Sequence, residues 1–75
     1  MTPDNAKKVW NYIQAAGDKL VGKLPPSFRH PKGRNPYAHI AICVKGKFNQ
    51  SYKEIPDEQI EEVFDYIDYL VENPS

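Results

Sequence analysis

The residues best equipped for chemistry are two histidines and one cysteine: His30, His39 and Cys43. A structural zinc site needs four ligands in closely spaced pairs, which this set does not provide. If the segment is helical, His39 and Cys43 face each other one turn apart, as a thiol nucleophile and its base would. Cys43 lies inside the apolar run 40–44, however, where a buried and unreactive thiol is the commoner case. We therefore predict no metal site, no cofactor, no small-molecule substrate and no enzymatic activity.

A second group of residues is suited to phosphate. Four cations stand close together around Gly33, which would let the backbone approach an anion: Lys23, Arg29, Lys32 and Arg34. Asn35-Pro36 follows them and is typical of a helix start, whose free amides attract anions. No aromatic platform or recognition helix rich in Arg, Asn or Gln accompanies these cations, so we expect only weak, sequence-independent nucleic-acid binding. The competing interpretation is a proline-stiffened connection that positions the next helix.

The carboxylates are concentrated at the other end of the chain. Residues 1–53 hold all ten Lys and Arg with two carboxylates, whereas residues 54–75 hold eight carboxylates and no cation. The formal net charge of zero thus divides into +8 and −8. This asymmetry indicates either that one face meets an anionic partner or that the two ends pair within the fold. Tyr69 lies among the carboxylates, nearly opposite the apolar side of its helix, and is our candidate for contact with a partner protein.

Length and composition limit the architecture that holds these residues. A chain of 75 residues forms one domain with one modest core. No apolar run approaches the eighteen residues of a membrane span and no signal-like segment begins the chain, so we expect a cytoplasmic protein without membrane contact. A single cysteine agrees with a reducing compartment. The sequence does not decide whether residues 1–75 are a complete protein or a module of a larger regulatory protein.

Two amphipathic helices are expected at the ends of the chain. Thr2-Pro3-Asp4 is typical of a helix start, and the helix near 3–20 is expected to end through Gly17 or Gly22. A second helix is expected near 56–72, with carboxylates on its solvent side. The apolar residues recur at helical spacing in both segments: Ala6, Val9, Trp10, Ile13, Ala16 and Leu20, then Ile60, Val63, Phe64, Ile67, Leu70 and Val71.

The middle segment, 37–48, fits two periods. Its apolar residues alternate like a strand that turns through Lys45-Gly46 into a second strand, and they fit a helix equally well. Asn35 as a cap and Pro36 in the first turn favour the helix, whereas Gly46 costs about 1 kcal/mol in a helix interior. We predict an all-α domain of three helices near 3–20, 36–48 and 56–72, with a long Pro-rich connection between the first two. An α+β helix–hairpin–helix domain is the alternative.

Residues 45–67, KGKFNQSYKEIPDEQIEEVFDYI, resemble a C-terminal domain family of phage and prophage regulatory proteins of the antirepressor type. The similarity lies in the basic pair and Phe48 that end one helix, the Ser-Tyr-Lys-x-Ile-Pro turn at 51–56, and the aromatic-Ile pair Tyr66-Ile67. It implies that the middle segment is helical and that DNA recognition lies in a separate module, and it implies no catalytic residues. Gly46 and Asn49-Gln50 depart from the family's pattern, which has a glycine-containing link.

These observations together predict a protein-interaction or regulatory module of a phage-type transcriptional regulator. Its expected partner is another protein or a second copy of itself, contacted through Tyr69. The alternative is a small nucleic-acid-binding domain that contacts phosphates through the cationic segment 23–34.

Overall fold

The computed structural model describes residues 1–23 and 35–73, and these residues form three α-helices without a strand. α1 spans Pro3–Leu20, α2 spans Pro36–Phe48 and α3 spans Ile60–Glu72. A single 3-10 turn, Asp57–Gln59, leads into α3. The all-α prediction with three helices is therefore confirmed, and the hairpin alternative is wrong. Residues 24–34 of the predicted Pro-rich connection lie outside the described residues.

The first two helices begin at side-chain caps, as their sequences predict. The Thr2 hydroxyl accepts a hydrogen bond from the backbone N–H of Asn5 at 3.2 Å, and Pro3 is the first helical residue. The Asn35 side chain accepts from the N–H groups of Tyr37 at 3.0 Å and Ala38 at 3.2 Å. These bonds satisfy amides that have no partner within the helix. They account for the helical conformation of a segment whose periodicity alone is ambiguous.

The ends of α1 and α2 use residues that tolerate a left-handed backbone. α1 continues through Gly17 to Leu20, and Gly22 in the following turn has a φ of 76°. α2 is followed by Asn49, which has a φ of 59°. Apart from glycine, Asn is one of the residues that adopt this conformation most readily. The link after α2 therefore reaches this conformation without a glycine.

The core is built from all three helices and from Ile55 in the segment before α3. Half-buried apolar side chains surround it, including Phe48, Tyr52 and Phe64. Trp10, which the helical spacing assigns to the core side of α1, is 38% exposed and stacks on Tyr52 with ring centroids 6.2 Å apart. The buried residues are Val9, Ile13, Ala16, Leu20, Ile40, Val44, Ile55, Val63, Ile67 and Leu70.

α1 is the central helix, since it packs more extensively against both α2 and α3 than these two pack against each other. Gly17 lies directly under the Tyr37 ring, and a Cβ atom at this position would lie only 2.6 Å from Tyr37 Cε1. The Tyr37 hydroxyl donates a hydrogen bond to Asp18, and the Tyr12 hydroxyl donates one to Asp68 on α3. The glycine thus sets the close approach of α1 and α2.

The start of the chain is attached to the turn before α3. The Met1 amino group donates to the carbonyl oxygens of Lys53 at 2.8 Å and Ile55 at 2.9 Å. The Asp57 carboxylate accepts from the Thr2 backbone N–H at 2.8 Å and from the Asn5 side-chain amide at 3.0 Å. The bonds from Asn5 and then Thr2 hold the pKa of Asp57 below its ordinary value.

Candidate interaction surface

The surface between α2 and α3 carries three aromatic rings and one lysine, which we term the tyrosine patch: Lys47, Phe48, Tyr66 and Tyr69. Tyr69 is 56% exposed and stacks on Tyr66, with centroids 6.0 Å apart and planes inclined by 14°. Phe48 meets the Tyr66 ring edge-on at 6.2 Å. The Lys47 ammonium lies over the Tyr66 ring, 5.7 Å from its centroid. The end of α2 and the middle of α3 therefore present a fixed aromatic surface with one cation.

The electrostatics of the patch keep its central ring neutral. Burial raises the pKa of the Tyr66 hydroxyl, and the neighbouring Cys43 and Tyr69 raise it further. A cation over a tyrosine face is attracted by the ring quadrupole. Lys47 thereby helps to fix the ring on which Tyr69 is stacked. The patch thus exposes aromatic surface, and aromatic residues are enriched at protein interfaces.

A second feature lies on the outward side of α2, where Ile42 is 70% exposed. Ile42 borders a shallow concavity of about 280 Å³, which we term the α2 concavity. Its lining is mainly apolar, apart from a lysine and a serine: Ala41, Ile42, Lys45, Ser51 and Tyr52.

Two further outward residues of α2 are also unusual for a solvated helix. Ala38 and Gly46, one turn before and after Ile42, are exposed. A Cβ atom added to Gly46 would have no neighbouring atom within 4 Å. Neither the packing of the described residues nor the backbone therefore requires a glycine there.

In the structure, the charge asymmetry of the sequence corresponds to a difference in charge between α2 and α3. Residues 35–53 carry Lys45, Lys47 and Lys53, all exposed, and no carboxylate. α3 carries five exposed carboxylates and no cation: Glu61, Glu62, Asp65, Asp68 and Glu72. Asp18, Asp57 and Asp68 accept hydrogen bonds from hydroxyl, amide and backbone donors, which are neutral groups. The acidic and basic side chains of the two helices are thus divided by sign, with lysines on α2 and carboxylates on α3.

The pair singled out for nucleophilic chemistry does come together. Cys43 Sγ lies 3.9 Å from His39 Nδ1 and 3.8 Å from Nε2, as their helical spacing predicts, and both residues are half-buried. Within residues 1–23 and 35–73, no group of three or more His, Cys, Asp or Glu is placed to hold a metal ion. None of the helices in the described part of the chain is both long and apolar enough to cross a membrane.

Most of the cationic segment proposed for phosphate contact lies outside the part of the chain that the structure describes. Lys23 is exposed in the turn after α1. Arg29, Lys32 and Arg34 lie outside the described residues. The nucleic-acid interface therefore stays a prediction.

Sequence reasoning identified Tyr69 but missed its neighbours. It assigned Lys47 and Phe48 to a helix end and Ile42 to the apolar run of the middle segment. The position of Ile42 on a helical wheel, opposite Ile40 and Val44, is the signal that could have found it.

A scan against protein-family models, a search of curated proteins and a search of solved structures each returned no match for this chain. The resemblance to the phage regulatory family therefore stays a prediction from the residues at 45–67.

Proposed function

We propose that this domain is a protein-interaction module of a phage-type regulatory protein, and that it binds its partner through the tyrosine patch. The observation that carries the proposal is the arrangement of Tyr69. Its ring is 56% exposed, yet it is stacked on Tyr66, which Lys47 and Phe48 hold in turn. The phage-type setting rests on the resemblance of residues 45–67.

The physical argument concerns the entropy that binding costs. A flexible exposed side chain loses its rotamer freedom when a partner covers it, whereas a ring already stacked in place loses little. Tyrosine also offers both an apolar ring and a hydroxyl that can bond to the partner. For these reasons exposed, preorganised tyrosines are frequent among the residues that dominate binding energies.

Photo-crosslinking tests this proposal directly. p-Benzoylphenylalanine is placed at position 69, where it keeps an aromatic ring, or at Asn11 as the matched control, since Asn11 is exposed on α1. After irradiation in an extract of the source cells, adducts are identified by mass spectrometry. We expect a protein adduct from position 69 that position 11 does not give.

Competition makes the test specific to the ring. An excess of unlabelled wild-type protein should suppress an adduct with a different protein, and an equal excess of Tyr69→Ala should suppress it far less. An adduct with a second copy of this chain is recognised by its doubled mass, and added wild-type protein should increase it. If position 69 gives only the adducts that position 11 gives, the tyrosine patch is not an interaction surface and the proposal is wrong.

A further inference from the structure

We infer that the partner of this module is a second copy of the same chain, an inference that rests on the proposed function and specifies its partner. In the dimer, Tyr69 on α3 of each copy docks against the α2 concavity of the other copy. The two contacts are related by a two-fold axis.

Charge complementarity is the first argument for this partner. The carboxylates nearest Tyr69 along α3 are Asp65, one turn before it, and Asp68 and Glu72 on either side. The α2 concavity instead includes Lys45, whereas Lys47 lies over Tyr66 in the tyrosine patch. An aromatic ring with carboxylates beside it thus matches an apolar concavity that carries a lysine.

The shapes of the two surfaces are the second argument. Ile42 is the most exposed of the large apolar residues of the described chain, and Tyr69 is also more than half exposed. Ile42 belongs to a concavity, and Tyr69 is a ring on the surface of a helix. Docking the ring beside Ile42 would remove both from water, which is favourable by about 25 cal/mol per Å² of apolar surface buried.

Symmetry is the third argument, because each copy carries both surfaces. If two copies made only one of the two contacts, one surface at each end of the pair would stay unused. Further copies would then add to these ends and form an open chain of copies. A reciprocal pair of contacts uses all four surfaces and closes the assembly at two copies. It also places Lys45 of each copy opposite the carboxylates beside Tyr69 of the other copy.

The expected dimer is weak and depends on salt. A helix of 13 residues is about 20 Å long, so the face formed by α2 and α3 is small beside a standard interface of about 800 Å² per partner. Salt screens exposed charge pairs. Sedimentation velocity should therefore show a monomer–dimer equilibrium whose dimer fraction rises with protein concentration and falls as salt is added.

A charge-swap experiment tests the specific contact. One variant, Lys45→Glu, reverses the charge of the α2 concavity and leaves Lys47 of the tyrosine patch unchanged. A second variant, Asp65→Lys/Glu72→Lys, reverses the charge around Tyr69. The matched control, Lys7→Glu, makes the same change in net charge as the first variant at an exposed position on α1. Circular dichroism melts establish that each variant is folded before its association is measured.

Each charge-reversed variant alone should dimerise at least about tenfold more weakly than the wild type, because like charges then face each other. An equal mixture of the two variants should recover the dimer, since both contacts again pair opposite charges. The α1 control should dimerise as the wild type does, and it should form no mixed dimer of comparable strength with the Asp65→Lys/Glu72→Lys variant. This last result separates a specific contact from attraction between net charges.

Three results would overturn the inference. They are a wild-type protein that stays monomeric up to millimolar concentration, a Lys45→Glu variant that dimerises normally, and a mixture that recovers nothing. The crosslink at position 69 distinguishes this failure from failure of the proposed function. An adduct with a different protein, from a chain that stays monomeric, would leave the interaction module standing and remove only the second copy as its partner.

Discussion

α2 and α3 have the same length, 13 residues, and both pack on α1, but they divide their residues differently. α3 places its apolar side chains, apart from Tyr69, on the core side and five carboxylates on the solvent side. α2 buries Ile40 and Val44, yet it leaves Ile42 and Ala38 in solvent. The fold of one chain explains the sequence of α3 except for the exposed Tyr69. It explains only the inner half of α2, and the unexplained half is where a binding surface is to be sought.

The largest expected effect on stability comes from making the same Ile→Ala substitution on the two sides of α2. Ile40 is fully buried and Ile42 is 70% exposed. Ile40→Ala should destabilise the domain by about 2–5 kcal/mol, since it removes packed methyl groups and leaves a cavity. Ile42→Ala should change the unfolding free energy of the monomer by less than about 0.5 kcal/mol. Chemical denaturation at low protein concentration measures both. A similar loss for the two variants would show that the outward side of α2 is also packed in the monomer.

The next effect compares two helical glycines. A Cβ atom at Gly17 would lie 3.0 Å from Tyr37 Cγ and still closer to other ring atoms, whereas one at Gly46 would meet nothing within 4 Å. Gly17→Val should therefore destabilise the domain by about 1–3 kcal/mol through overpacking. Gly46→Val should change stability by less than about 0.5 kcal/mol. Thermal melts of both variants check the difference. Equal melting temperatures would mean that the Tyr37 ring moves aside without cost.

A smaller effect on stability is expected from the residues at which α2 and α3 begin. The Asn35 side chain caps α2, whereas Gln59, at the start of α3, makes no side-chain capping bond. Asn35→Ala should destabilise the domain by about 1 kcal/mol, because two amides of the first turn lose their acceptor. Gln59→Ala should be close to neutral. The comparison would fail if urea denaturation gave the two variants the same midpoint.

The smallest effect depends on pH and concerns the attachment of α1 to the turn before α3. The folded-state pKa of Asp57 is lowered by the bonds from Asn5 and then Thr2. Its contribution to stability is thus fully present above the unfolded-state pKa of about 4, and it is lost as the pH falls through the folded-state value. The stability difference between the wild type and Asp57→Asn should therefore be largest near neutral pH and should shrink in acid.

Glu58→Gln is the charge-matched control for this measurement, since Glu58 is exposed in the same turn. It should show a smaller dependence on pH than Asp57→Asn. Melting temperatures collected from neutral to acidic pH give both curves. Parallel curves for the two variants would show that the bonds to Asp57 contribute nothing specific.

The sequence predicts most of this fold because local signals coincide with the hydrophobic pattern. Thr2, Asn35 and the stripe of α3 each determine a helix through neighbours a few residues away. The middle segment was ambiguous because its apolar residues surround the helix, so that no period dominates. Asn35 as a cap, Pro36 in the first turn and the resemblance of residues 45–67 favour a helix there, and the structure confirms the helix.

The candidate surface was harder to predict, since it depends on contacts between helices. Tyr69 could be found from its position on α3 alone. Its stacking on Tyr66 and the placement of Lys47 over that ring depend on how α2 and α3 approach each other, which no local pattern specifies. The same reason accounts for Trp10, whose spacing indicates the core but whose ring lies at the surface against Tyr52.

The position of Trp10 provides an optical probe that needs no label. It is the only tryptophan in the chain, and its ring stacks on Tyr52, which lines the α2 concavity beside Ile42. Indole emission shifts with the polarity of its surroundings, so occupation of the concavity should change the fluorescence of the unmodified protein. Dilution across the monomer–dimer range, followed at the wavelength of maximum emission, would then report association at the place where the docking ring is expected to bind.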